Sequence, residues 1–265
     1  RMNNKLIITI PHYNNPKGLL NTICSIDESF PIDIIIVDDG SQHKPDENKI
    51  KEEYQNGLAV FDYFDQNYGV GIAANKCLEF VKKNSYKYVA RLDAGDICYK
   101  NKFHKQIAFL EKNPEIKLVG SWARVVDSNG NHLYTIKHPT ENNIIKNQMY
   151  LNSMFVNPTV VFHSSILAKV SEYPEKYKFA AQDYAFFFQV IKHFKCANLP
   201  EILLDYVSEE QSISTKKRKL QVKNRIKIIL ENFKPGFYPI YGLMRSVFLY
   251  FFSRKTTTII KSKLQ

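Results

Sequence analysis

Four apolar runs, Lys5–Ile10, Ile32–Val37, Ala59–Phe64 and Tyr86–Leu92, are separated by stretches of helical periodicity at Gly18–Glu28, Glu47–Tyr54 and Gly71–Lys83. No other feature restricts the fold as strongly. Apolar runs rich in Ile and Val suit strands buried on both faces, and strands joined by helices pair in parallel with right-handed crossovers. The expected fold class is therefore α/β and Rossmann-like, a mostly parallel sheet with helices on both faces. Loops that follow its strands share one rim, where open α/β sheets bind ligands. Four loops fall there: Pro11-His12-Tyr13-Asn14, Asp38-Asp39-Gly40-Ser41, Asn67-Tyr68-Gly69 and Asp93-Ala94-Gly95-Asp96.

Two of these loops carry paired carboxylates. Oxygen donors suit Mg²⁺ or Mn²⁺, which commonly bind phosphates through only one or two protein carboxylates, so the pairs point to a divalent cation and a polyphosphate. Asp and Gly also furnish ordinary surface turns, because Asp hydrogen-bonds nearby backbone and Gly supplies positive φ. That plainer reading covers either turn alone; two such turns on one edge favour a ligand.

Beyond Asp96 the pattern becomes α+β. A helix is expected near Phe103–Lys112, a strand at Ile116–Val126, a hairpin at Ser128-Asn129-Gly130-Asn131 and a helix near Ala181–His193, followed by apolar runs at Ala197–Leu199 and Ile202–Val207. The net charge of +11 is unevenly placed: residues 1–214 hold 24 basic and 25 acidic side chains, whereas residues 215–265 hold 13 basic ones and a single acid, Glu231. A near-neutral body argues against nucleic acid as a partner, and the basic tail argues for an anionic surface. The four cysteines, Cys24, Cys77, Cys98 and Cys196, lack C-x-x-C spacing, and no secretory signal precedes the first strand. A reducing, cytoplasmic setting is expected, and a zinc site is not.

In the tail, Lys216–Asn232 mixes basic residues with Leu220, Ile226, Ile229 and Leu230, as an amphipathic helix does, until Pro235-Gly236 breaks it. Phe237–Phe252 is aromatic and apolar, but it contains Pro239, Gly242 and Arg245 and falls short of the roughly twenty residues a membrane span needs. Flanked by Lys216, Lys217, Arg218 and Lys219 before it and Arg254 and Lys255 after it, the segment suits a helix lying in the interface of an anionic membrane. Docking on the protein's own core, or on a second copy as a homodimer, is the alternative.

Several ordered pieces together resemble the family-2 glycosyltransferases, inverting enzymes of the GT-A fold that use nucleotide-activated sugars. They are Ile10-Pro11-His12-Tyr13-Asn14, Ile36-Val37-Asp38-Asp39-Gly40-Ser41, Asn67-Tyr68-Gly69 with Ala74-Asn75, Arg91-Leu92-Asp93-Ala94-Gly95-Asp96, Val119-Gly120-Ser121, Gln182-Asp183-Tyr184 and Gln211-Ser212-Ile213-Ser214. Their co-occurrence in order is far more specific than any single piece. The resemblance implies a GT-A domain over residues 1–214, with a nucleotide-binding half at about 1–97 and an acceptor-binding half at about 98–214. A basic, aromatic and helical C-terminal extension, 215–265, lies outside it.

The resemblance also implies roles. Pro11, Tyr13, Asp38, Asp39, Asn67, Gly69, Asn75, Arg91 and Asp93 become nucleotide contacts, with Asp39 accepting the imide N–H of uracil or thymine. Asp38 could instead cap the following helix. Asp93 and Asp96 become ligands to Mn²⁺ or Mg²⁺, although Gly95 stands where many relatives carry a further Asp. Asp183 becomes the general base that deprotonates the acceptor hydroxyl, or a helix-capping residue in the plainer reading. Gln182 replaces the Glu that usually precedes the base, which should ease ionisation of Asp183 by removing a like charge. Ser208-Glu209-Glu210 replaces the His that relatives often carry; Glu209 or Glu210 is a substitute for it or simply solvated charge. His138 and His163 are looser candidates for acceptor or phosphate contacts.

The expected function is transfer of a sugar, from UDP in the first instance, to a glycan or lipid-linked acceptor in bacterial surface-polysaccharide or lipooligosaccharide synthesis. The expected location is the inner face of the cytoplasmic membrane. A metal-dependent nucleotidyltransferase is the enzymatic rival, disfavoured because Pro11-His12-Tyr13-Asn14 is not a basic Gly-rich loop. A non-enzymatic anion-binding or membrane-binding module is the other.

Overall fold

The structure, a computed structural model, describes residues 5–208 and 217–251. It opens with β1 (Leu6–His12), α1 (Pro16–Cys24), β2 (Asp33–Asp38), α2 (Glu47–Glu53), β3 (Ala59–Tyr63), α3 (Val70–Lys83) and β4 (Tyr88–Arg91). Then follow β5 (Ile97–Cys98), α4 (Lys102–Lys112), β6 (Ile116–Val126), β7 (His132–Ile136), α5 (Asn142–Gln148), β8 (Val161–His163), α6 (Gln182–His193), β9 (Lys195–Val207), α7 (Arg218–Glu231) and α8 (Phe237–Phe251). Among the described residues the strands form one nine-stranded sheet in the order β3-β2-β1-β4-β8-β6-β9-β5, with β7 paired to β6. It is parallel from β3 to β4 and mixed beyond.

Strand periodicity divides the apolar runs between two cores. Leu6, Ile8, Ile10, Ile34 and Ile36 face α1, α2 and α4 through Leu19, Ile23, Ile50 and Phe103. Ile7, Ile35, Val37 and Val89 face α3 and α6 through Ala73, Ala74, Cys77, Phe186 and Phe187. Burial on both faces is what the unbroken Ile and Val runs anticipate.

Several boundaries differ from expectation for local reasons. The first helix covers Pro16–Cys24 rather than Gly18–Glu28, because Asn15 caps it by accepting from Gly18 N at 3.0 Å and Pro16 occupies its first position. Glu28 leaves that helix and caps α4, accepting from Phe103 N at 2.6 Å and His104 N at 3.1 Å. The two apolar runs near residue 200 form one strand, β9, whose pairing with β6 shifts register between Ser121 and Trp122, opposite exposed Pro200 and Glu201. The short β5, β8 and α5 carry too few residues for a periodic signal.

Behind the expected break at Pro235-Gly236, α7 and α8 pack on each other and on the body. Val222, Ile228 and Ile229 of α7 are buried, and Asn224 donates to Ala180 O at 2.9 Å. Leu220 and Leu230, read from the sequence as part of the apolar face, are exposed instead. Helix α8 places its small residues inward. Pro239, Gly242 and Ser246 are buried, and Arg245 donates to Leu151 O at 2.7 Å. A Cβ on Gly242 would lie 2.1 Å from Tyr150 O, a backbone atom. Gly242→Ala is therefore expected to push α8 off the body and destabilise the protein by about 1–3 kcal/mol. Amide exchange over residues 237–251 and thermal unfolding measure this; unchanged protection would contradict the close contact.

Candidate active site

The rim at the C-terminal ends of β1, β2 and β4 is built from hydrogen bonds that each loop supplies to the next. Asp38 is fully enclosed: His12 Nδ1 lies 2.6 Å from its Oδ1, and Ser41 N donates to its Oδ2 at 2.9 Å. Asn15 N donates to His12 Nε2 at 3.1 Å, so that nitrogen is the acceptor and Nδ1 carries the proton toward Asp38. Ser41 Oγ in turn accepts from Asn14 N at 2.8 Å. The loops after β1 and β2 are thus locked together, with Pro11 buried in β1 and Tyr13 exposed above it.

Asp39 closes the end of β2 onto the start of α3. Its Oδ1 accepts from Tyr68 N at 2.8 Å, and its Oδ2 accepts from Gly69 N at 2.9 Å and Asn67 Nδ2 at 3.1 Å. Burial raises its pKa, the Tyr68 and Gly69 N–H groups partly offset this, and the Asp38 charge adds to the rise. Gly69 has φ +104°, and a Cβ there would meet Lys178 O and the Phe179 ring. Gly71 N donates to Lys178 O at 3.0 Å, and Asn75 holds the Tyr173 backbone with both ends of its amide, at 2.9 and 2.7 Å. The segment leading into α6 therefore lies directly against α3.

That segment delivers Asp183 to the first turn of α6. Burial raises the pKa of this half-buried carboxyl; a hydrogen bond from Tyr184 N–H opposes the rise and the Asp93 charge adds to it. Asp93 itself is partly exposed, and Arg91, only 3% exposed, donates to its Oδ1 at 2.7 Å. Asn157 Nδ2 lies 3.4 Å from its Oδ2. Asp96 is buried and accepts from Val207 N at 2.9 Å, which ties the turn to the end of β9.

Among the described residues no group of three or more His, Cys, Asp or Glu is placed to hold a metal ion. The donor set still fits a cation carried largely by phosphate, since Asp93 stands half-exposed at the strand end and one carboxylate suffices for that mode.

One of the two looser histidines falls elsewhere. His163 pairs with Tyr88 at the beginning of β4, the opposite end from the rim. Burial pushes the His138 pKa down to about 4, and its carbonyl accepts from Trp122 Nε1. Glu209, Glu210 and the Gln211–Ser214 piece lie outside the described residues. Lys217, just after them, stands 4.6 Å from the centre of the Phe179 ring, and its charge lowers the pKa of Asp39. Sequence reading missed Asn157, whose only signal, Asn-Pro, reads as a turn.

Residues 7–171 match the profile described as Glycosyl transferase family 2. A glycosyltransferase of Methanocaldococcus jannaschii is 34% identical over 206 residues, covering 75% of this chain and 69% of that one. The amylovoran biosynthesis glycosyltransferase AmsE of Erwinia amylovora is 27% identical over 76% of this chain and 72% of its own. The fold matches S. aureus TarS 1–349 in complex with UDP at a TM-score of 0.67 and 20% identity, over 95% of this chain and 73% of that one. It also matches the mannosyltransferase PcManGT from Pyrobaculum calidifontis, solved with GDP-Man and Mn²⁺, at a TM-score of 0.64 and 12% identity over 91% and 68% of the two chains. The chain belongs to glycosyltransferase family 2 and has the GT-A fold, with a helical C-terminal region. It is a glycosyltransferase.

The turn that carries Asp93 and Asp96 depends on the conformation of Gly95. Gly95 has φ +118°, where side chains are strained, and its N–H donates to Thr22 Oγ1 at 2.9 Å. Gly95→Asp is expected to cost about 1–3 kcal/mol and to lower the unfolding midpoint by roughly 2–4 °C per kcal/mol. An unchanged midpoint would mean that the turn does not depend on glycine.

Proposed function

We propose that the chain transfers a hexosyl group from a nucleoside-diphosphate sugar, with UDP as the carrier, to a hydroxyl of a glycan or lipid-linked acceptor, inverting the anomeric centre. The observation that carries this reading is Asp183, a half-buried carboxylate whose pKa is raised by burial and by Asp93. Inversion takes a single displacement: the acceptor oxygen attacks opposite the diphosphate while a carboxylate takes its proton. Asp183 is that base, and its raised pKa brings it closer to the pH at which a general base works best.

On the donor side, Asp39 Oδ2 already accepts two hydrogen bonds, whereas Oδ1 accepts one and keeps room for the imide N–H of uracil. Pro11, Tyr13, Asn67 and Gly69 shape the base and ribose pocket around it. Asp38 and Asn75 act through the loops they brace. Asp93 would hold a divalent cation, Mn²⁺ or Mg²⁺, with Asp96 anchoring the turn behind it. When bound, the cation supplies positive charge to the leaving diphosphate. The UDP bound in one structural neighbour and the Mn²⁺ in another support this donor side.

Asp183→Asn is expected to lower transfer by about 10²–10⁴ while UDP binding, followed by calorimetry, stays within a few-fold. In the wild type, transfer should decline as the pH falls through the raised Asp183 pKa. Near-normal turnover in the variant would sink the assignment.

The acceptor side is proposed to lie on the inner face of the cytoplasmic membrane, in surface-polysaccharide or lipooligosaccharide assembly, as the amylovoran role of one relative supports. No helix among the described residues is long and apolar enough to cross a membrane. Instead, α8 exposes Phe237, Ile240, Tyr241, Met244, Val247, Phe248 and Phe251 along its outer side, and α7 exposes Lys219, Lys223 and Lys227. Full-length protein should co-sediment with phosphatidylglycerol vesicles, less so as salt screens charges beyond about 8 Å. A form ending at Ser214 should remain in the supernatant. If both forms behave alike and only the full chain dimerises, the helices form a subunit contact.

A further inference from the structure

Behind the rim, the start of α4 holds a charge that the roles above do not use. Lys102, the first residue of α4, is fully buried, and its Nζ lies 4.1 Å from the centre of the Phe103 ring. Its polar neighbours are neutral oxygens: Nζ donates to Gln106 Oε1 at 2.9 Å and stands 3.5 Å from Thr159 O. A buried cation is costly unless paired with an opposite charge, and the start of a helix favours negative charge. Burial pulls the Lys102 pKa down to about 8, against the opposing effects of Cys98 on β5 and Glu28 in the loop after α1. A methionine would fill the same space without the charge.

What the ammonium supplies is direction. It only donates, so it holds the Gln106 amide with its oxygen toward Lys102 and its NH₂ group turned away. That group donates to Thr159 O at 2.7 Å and to Val119 O at 3.3 Å. An uncharged amine both donates and accepts, which leaves the sense of the amide open. Thr159 is gripped through its side chain as well: Oγ1 accepts from Ser121 N at 3.2 Å and donates to Val156 O at 2.7 Å. Thr159 closes the helical turn Asn157–Thr159, and the next residue, Val160, accepts through its carbonyl from Arg91 N at 3.0 Å. At the start of the turn, Asn157 Nδ2 faces Asp93 Oδ2 at 3.4 Å.

We propose that Lys102 is a positioning residue for the transfer reaction: through Gln106 its ammonium holds Thr159, and with it the turn that sets Asn157 beside Asp93. This rests on the nucleotide-sugar reading above. Lys102, fully buried, meets no substrate itself.

The test compares full-length wild type, Lys102→Met and Gln106→Met in the release of nucleoside diphosphate from UDP-glucose, UDP-galactose, UDP-N-acetylglucosamine and GDP-mannose, with Mn²⁺ present and water as acceptor. On the conjugate that the wild type turns over fastest, both variants should lose roughly tenfold in kcat, the cost of slightly misplaced groups, with KM within about twofold. Thermal unfolding at about pH 7 and about pH 9.5 supplies a second readout. The Lys102 pKa falls from 10.5 to about 8 on folding, so the penalty of its buried charge is full below the lower value and is lost as pH rises toward the upper one. The Lys102→Met midpoint should therefore stand higher relative to wild type at the lower pH than at the higher. Gln106→Met, which strips the buried ammonium of its acceptor, should unfold a few degrees below wild type at the lower pH. Equal loss of rate with opposite trends in stability separates positioning from packing. A normal kcat in Lys102→Met, or a rate loss that follows the unfolding midpoint, would overturn the proposal. A wild type that releases diphosphate from none of the four conjugates would overturn the nucleotide-sugar reading, and this role with it.

Discussion

The carboxylate of Asp39 holds the site together. With three hydrogen bonds it fastens the end of β2 to the loop that starts α3, and so fixes where α3 begins. The rest follows from that position. Gly69 and Gly71 let the backbone at Lys178 come into contact with the first turn of α3, and Asn75, one turn further on, holds Tyr173. Asp183 is thus placed by α3, not by the mixed part of the sheet to which α6 leads. A change that loosened Asp39 would move the Asn67–Gly69 loop and the segment before Asp183 together, since both hang on one helix.

The second constraint is electrostatic. Asp93 lies close enough to Asp183 that its charge raises the Asp183 pKa, since bringing like charges together disfavours ionisation. The buried guanidinium of Arg91 opposes this: it hydrogen-bonds Asp93 and lowers the pKa of Asp183. A buried cation is costly unless paired, and among the described residues Nη2 alone of the Arg91 guanidinium nitrogens has a hydrogen-bond partner. The site therefore keeps two carboxylates in different surroundings, one at a partly exposed strand end and one half-buried at a helix start.

The parallel half of the fold was legible because its strands are mainly apolar and each rim loop carries turn chemistry, which periodicity and Gly, Asp and Pro placement report directly. What was illegible depended on partners distant in sequence. Glu28 reads as helix until Phe103 and His104 supply the N–H groups it caps. β8 is three residues long and exists because β4 and β6 leave a place between them. Asn157 looks like a turn residue until the fold sets it beside Asp93, 64 positions earlier in the chain. His163 reads as a candidate for chemistry, yet the antiparallel direction of β8 carries it to the far end of β4.

The C-terminal helices show why a pattern of residue types does not by itself say which way a helix faces. In α8 the small residues Pro239, Gly242 and Ser246 face the body, because the Tyr150 backbone approaches too closely for anything larger at Gly242. The large residues are thereby forced outward, and Phe237 and Phe251 are 74% and 75% exposed. Burying one such side chain is worth about 1.5–3 kcal/mol, so a helix selected only to pad its own domain would turn the other way. The exposed lysines of α7 add positive charge to the same C-terminal region, so the aromatic stripe and the charge are presented together.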